Sequence, residues 1–99
     1  MMQQISLGQS DYLSSYGDYY FTNGGGSSCT IATTDGRTTG NAASSTDINE
    51  ELFSGGEIIT VATGWDMCIE KSPGGYIIKG TDGDHQLTLD QNGTWGEAF

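Results

Sequence analysis

Few residues in this chain could do chemistry: Cys29, Cys68, His85, and carboxylates that thicken around Asp82, Asp84 and Asp90. A thiol nucleophile needs a base within hydrogen-bond reach. Cys68 and His85 fall on opposite parities of neighbouring strand segments, so the spacing keeps them apart. Cys29 with His85 stays open, although a single histidine beside Asp84 reads more simply as a turn residue. A cation would draw on Asp82, Asp84 and Asp90 or Asn92. A helix-flanked calcium loop needs oxygen ligands at alternate positions, a central glycine and a terminal acid. Thr81-Asp82-Gly83-Asp84-His85-Gln86 breaks that order between strands, where Asp, Asn and Gly serve the turn itself; a weak loop-bound cation is the alternative. Two cysteines and one distant histidine do not form a zinc set. The glycine runs Asn23–Gly26 and Gly74-Gly75 lack the spacing and the lysine of a phosphate cradle. No catalytic, cofactor-binding or metal-ligating residue is assigned.

Charge is the more telling property. Thirteen Asp and Glu stand against Arg37, Lys71 and Lys79, a formal net charge of -10. Such a chain is repelled by nucleic acid, whose binding needs Lys and Arg, and by anionic membranes. It is attracted to basic protein surfaces, unless the acidity serves only solubility or a salty habitat. The acids expected to meet a partner are Asp47, Glu50, Glu51, Asp66, Glu70, Asp82, Asp84 and Asp90. Tyr12, Tyr16, Tyr19, Tyr20 and Phe21 lack a basic groove in which to stack bases, and are expected to pack the core and supply a protein-contact surface.

The elements that hold these residues centre on 57–90. Ser72-Pro73-Gly74-Gly75 suits a type II turn with positive φ at Gly74, which sets Lys71 opposite Tyr76 and Ile69 opposite Ile78. Asp82-Gly83 suits a type I′ turn, setting Gly80 opposite His85, Ile78 opposite Leu87 and Tyr76 opposite Leu89. Strand alternation then puts Met67, Ile69, Tyr76, Ile78, Leu87 and Leu89 on one face, and Asp66, Glu70, Lys79, Gln86, Thr88 and Asp90 on the other. A turn at Thr63-Gly64 adds a strand pairing Ile58 with Ile69 and Thr60 with Met67. Ile59, Val61, Cys68 and Ile77 make an apolar strip on the second face. After Asn92-Gly93, Thr94–Phe99 returns as an edge strand bringing Trp95 and Phe99 to that face.

Upstream, Gln3–Leu7 reads as a short strand and Ser10–Tyr16 as a helical turn stopped by Gly17. Tyr16–Thr22 and Ser28–Thr34 form a hairpin around the glycine tip, followed by a turn at Asp35-Gly36. Residues 36–46 are a polar loop. Asp47-x-x-Glu50 after Ser45 and Thr46 opens a short helix over 46–53, with Ile48, Leu52 and Phe53 at helical spacing, ending before Gly55-Gly56. The expectation is one domain over 1–99: α+β, mainly β, an antiparallel meander of four to six strands with one short helix on a face. At 34% apolar residues the core is modest, but the regular strands argue against disorder.

The N-terminus has neither a basic region nor an apolar run, and no stretch is long enough to span a membrane, so a cytoplasmic setting is the default. Cys29 and Cys68 are then free thiols; with an oxidising compartment they form a disulfide.

Small size, strong acidity, the lack of a catalytic motif and this N-terminus together resemble the profile of small phage-encoded anti-defence proteins such as anti-CRISPR inhibitors. The resemblance implies a non-enzymatic inhibitor, needing no cofactor, that docks on a basic nucleic-acid-handling protein and competes with nucleic acid. The alternative is a structural or adhesive β-module of a virion or surface assembly, homo-oligomerising through a sheet edge in 57–90. A third reading is a small metal-dependent binder or enzyme.

Overall fold

Runs of β-branched and apolar residues alternating with polar ones, cut by Pro73-Gly74 and by Asp-rich turns, leave the second half of the chain little choice but strand. The computed structural model describes residues 2–29, 31, 43–60, 64–82 and 84–97. Among these residues are two helices, α1 (Met2–Tyr16) and α2 (Ala43–Phe53), followed by β1 (Asp66–Ser72), β2 (Gly75–Thr81), β3 (Gln86–Asp90) and β4 (Trp95–Gly96). The strands form one antiparallel sheet in the order β1-β2-β3-β4. This is the expected α+β fold with a meander sheet, with four strands and, among the described residues, two helices where one was expected.

The β1–β2 register is the one anticipated: Ile69 faces Ile78 and Lys71 faces Tyr76. The positive φ falls on Gly75 (152°) and not on Gly74, which leaves the loop length and therefore the pairing unchanged. Glycine is required at Gly75, where φ is positive and a Cβ would lie 2.9 Å from the Gln91 Cγ, whereas a Cβ on Gly74 would meet only the movable end of the Gln91 side chain.

The β2–β3 register slides by two residues from the expected one, with Ile78 opposite Leu89 and Gly80 opposite Leu87. The Asp82 carboxylate accepts from the backbone N–H groups of Asp84 and His85, and the Thr81 hydroxyl donates to the His85 carbonyl. These bonds stabilise a wider loop than a two-residue turn. A slide of two preserves parity, so the apolar face keeps its members.

That face is the core side. Met67, Ile69, Tyr76, Ile78 and Leu89 are buried there against Met2 and Ile5 of α1, Ile48 of α2, and Ile59. The strand expected at Gln3–Leu7 is the first half of α1. Met2, Ile5, Gly8 and Gln9 are its buried positions, a helical spacing, while Leu7 is 70% exposed. The helical turn expected from Ser10 is thus the second half of a longer helix, and Gly17 stops it at φ 80°. Gly8 lets the helices approach: a Cβ there would sit 3.1 Å from the Phe53 ring. α2 begins at Ala43, inside the stretch expected as loop, and ends before Gly55-Gly56 as expected.

Two irregular segments take the place of predicted strands. Residues 58–60 do not pair with β1. The Asn49 side chain instead donates to the Ile59 carbonyl (2.8 Å) and accepts from its N–H (3.0 Å), turning Ile59 into the helix-covered core and not onto the second face. Gln9 holds Tyr20 in the same way, at 2.7 and 2.8 Å. The hairpin strand expected over Tyr16–Thr22 is absent because Tyr16 closes α1 and Thr22 follows the outer edge of β1. There the Thr22 N–H donates to the Ile69 carbonyl, its hydroxyl accepts from the Ile69 N–H, and Lys71 N–H donates to Gly26 O. Ser45 accepts from Met67 N–H and donates to Asp66, tying α2 to the start of β1.

A disulfide joins Cys29 to Cys68, with Cα atoms 6.2 Å apart. On the same second face Lys79 pairs with Glu70 at 2.6 Å, and Glu70 also accepts from the Cys29 N–H. Trp95 pairs opposite Leu89, which places it on the core side and not on the second face. The expectations for most of Ser28–Thr34, for Asp35-Gly36 and the loop through position 42, for Val61 and Thr63, and for Phe99 lie outside the described residues.

Replacing Asn49 by Ala removes two hydrogen bonds to the buried backbone of Ile59 and is expected to cost about 1–3 kcal/mol, read as a lowered denaturant midpoint. Ile78→Asp, a charge buried with no partner, abolishes the cooperative melt.

Candidate protein-binding surface

Asp47, Glu50 and Glu51 lie on the exposed side of α2, while Ile48 and Asn49 point inward. The packing of α1 on α2 through Gly8 and Phe53 brings tyrosines to these acids. Tyr12 and Tyr16, one helical turn apart on α1, have ring centroids 4.5 Å apart, and Tyr12 meets Tyr20 edge-on at 5.7 Å. Tyr20 is fixed through its backbone by Gln9. Partial burial, then the negative charges of Asp47 and Glu51, the neighbouring Tyr12 and the charge of Glu50 push the Tyr20 hydroxyl up to about 12. The three carboxylates therefore share their field with the tyrosine cluster. Together they form one acid–tyrosine face, with Tyr16 73% exposed.

The other expected contact residues divide by burial. Asp66 is 1% exposed and receives the Ser45 hydroxyl; Glu70, at 8%, holds Lys79 and the Cys29 N–H. Both are withdrawn from any partner. Asp82 and Asp90 are half-buried turn formers, Asp90 accepting from the N–H groups of Asn92 and Thr94. Asp84 is exposed.

His85, next to Asp84 in the chain, has its Nδ1 3.0 Å from the Asp82 carboxylate, and Cys68 is engaged in the disulfide. Hydrogen bonding to Asp82, reinforced by its charge, raises the imidazole above its ordinary 6.5, and the same bond with two backbone N–H groups lowers Asp82 to about 2. No group of three or more His, Cys, Asp or Glu among the described residues could hold a metal ion. No helix among them is long and apolar enough to cross a membrane.

The tyrosine–acid convergence escapes a linear reading, since it depends on how two helices cross. Its one local signal is the i, i+4 spacing of Tyr12 and Tyr16, which has meaning only once α1 is a helix.

The His85–Asp82 pair gives a pH test. A raised histidine contributes stability below 6.5 that is lost as pH rises through the folded value, while the lowered aspartate contributes above its ordinary 3.8 and is lost as pH falls toward about 2. The pair is therefore intact from mildly acidic pH up to the raised histidine value. Proton NMR titration should place His85 above 6.5, and Asp82→Asn should return it toward 6.5.

Compared with known protein families, curated proteins and solved structures, the chain matches none.

Proposed function

We propose that this is a non-enzymatic binding protein whose acid–tyrosine face docks on a basic surface of a nucleic-acid-handling protein and competes there with nucleic acid. That is the role of a phage-type, anti-CRISPR-like inhibitor. The observation that carries the reading is the convergence of Asp47, Glu50 and Glu51 with Tyr12, Tyr16 and Tyr20 on one rigidly backed face. Carboxylates at fixed positions present a row of negative charge to lysines and arginines, speeding encounter. Tyrosines lose little entropy when immobilised and stack on guanidinium groups, so they supply the affinity that exposed charges alone do not.

A second reading, a structural module of a virion or surface assembly, is favoured by the Cys29–Cys68 disulfide. Such bonds persist in oxidising compartments and are rare in the cytosol.

The two separate by salt. Capture of host proteins at low and high ionic strength, with competition by nucleic acid, should yield a basic partner that high salt or nucleic acid releases. The triple reversal Asp47→Lys, Glu50→Lys, Glu51→Lys should weaken that binding at least about tenfold while leaving the melting temperature within a few degrees, because these side chains are exposed. Unchanged affinity removes this face from the contact. Salt-insensitive, concentration-dependent assembly with no basic partner favours the second reading.

A further inference from the structure

The cross-strand row Met67–Gly80–Leu87 leads from the core to the surface: Met67 and Gly80 are buried, Leu87 is half-buried, and Met67 and Trp65 lie over Gly80, each 3.5 Å from where a Cβ would stand. An open cleft of about 640 Å³ is lined here by Trp65, His85 and Leu87, with Asp84 and Glu97 also in its wall. Trp65 and Leu87 also line an adjoining depression with Met2 and Trp95. Trp95 leads in turn to a third, which runs beside α1 past Leu7. Because each depression shares lining residues with the next, the three lie side by side as a grooved strip of surface with apolar side chains along it and acids at one end.

We propose that this groove is a second docking site, for an amphipathic basic segment of a partner protein that seats apolar side chains on Trp65, Leu87, Trp95 and Leu7 and places its basic end against Asp84 and Glu97. Leu7 and Trp95 are 70% and 50% exposed, a large apolar surface to leave to water on so small a polar chain. Charge selects the occupant. No lysine among the described residues lines these depressions; Lys79 is paired with Glu70 on the second face, and Lys71 lies at the far hairpin. An acidic segment is repelled, and so is a second copy of a chain carrying a formal charge of -10. A basic helix or strand with apolar anchors meets both the apolar side chains and the acidic end.

The groove and the acid–tyrosine face are separate surfaces. At 3.6 residues per turn, Gln3, Leu7 and Ser10 project from one flank of α1 and Tyr12 and Tyr16 from the opposite flank. The inference therefore does not rest on the function proposed above.

Trp65 and Trp95 are the chain's two tryptophans, so intrinsic fluorescence reports this groove. Titration of the oxidised protein with a synthetic amphipathic leucine–lysine peptide should give a saturable blue shift, and the matching leucine–glutamate peptide none. Leu7→Ser, which keeps both reporters, should weaken the response about fivefold or more through lost apolar contact. Asp84→Lys with Glu97→Lys should weaken it further, whereas the reversal of Asp47, Glu50 and Glu51 on the other flank should leave it near the original. Equal weakening by the two sets of reversals would show general electrostatic adsorption and overturn the site. So would a response indifferent to Leu7→Ser, no saturable shift with the basic peptide, or a blue shift on concentrating the protein alone.

Discussion

Backbone that is buried but has no strand beside it must still have its N–H and C=O groups satisfied, and this constraint organises the molecule. Gln9 and Asn49 meet it in the same way, each presenting a carboxamide from a helix to both polar groups of one residue in an irregular segment. Thr22 and Ser45 do so with hydroxyls along β1. Because a carboxamide matches a peptide group donor for acceptor, each side chain acts as one more rung of a ladder that the chain itself does not extend. The helices are thereby fixed to the loops as well as to the sheet.

Those attachments explain how a chain with modest apolar content keeps a defined surface. α1 has a glycine and several serines in its interior and little intrinsic reason to be helical; burial of Met2 and Ile5 and the engagement of Gln9 sustain it. The disulfide adds a covalent tie across 39 residues of sequence, fastening the segment after the glycine tip to the second face, where the Cys29 N–H also donates to Glu70 of the Glu70–Lys79 pair. With the acids of α2 outward and two acids of β1 buried among structural partners, charge and core are kept on different sides of each element.

The meander was legible in the sequence because a proline turn and strict alternation leave only one register for β1 and β2. It was less legible where side chains reshape a turn. Nothing in the Asp82-Gly83 dipeptide announces that the Asp82 carboxylate will take two backbone N–H groups and move the next strand by two residues. The first half of α1 reads as strand because Ile5 and Leu7 alternate with polar residues, whereas Ile5 is buried and Leu7 exposed along a helix. The α2 acids could be placed on an outward side from the helical spacing of Ile48, Leu52 and Phe53, but the capping pattern at Asp47-x-x-Glu50 marks no helix start, since α2 already begins at Ala43. The burial of Asp66 and Glu70 is not legible, because alternation gives the face of a sheet a residue occupies, not what covers that face.

The two borders of the sheet are unlike. Along β1 the Thr22–Gly26 segment occupies the outer backbone groups, and the disulfide keeps its continuation in place. Along β4 no further strand lies alongside among the described residues. A sheet with one closed border can accept a neighbouring strand on the other side only, so two such molecules joining by their sheets would each consume the border the other needs. Two copies joined through their β4 borders would make a closed pair, since the border at β1 is already occupied by the chain's own Thr22–Gly26 segment.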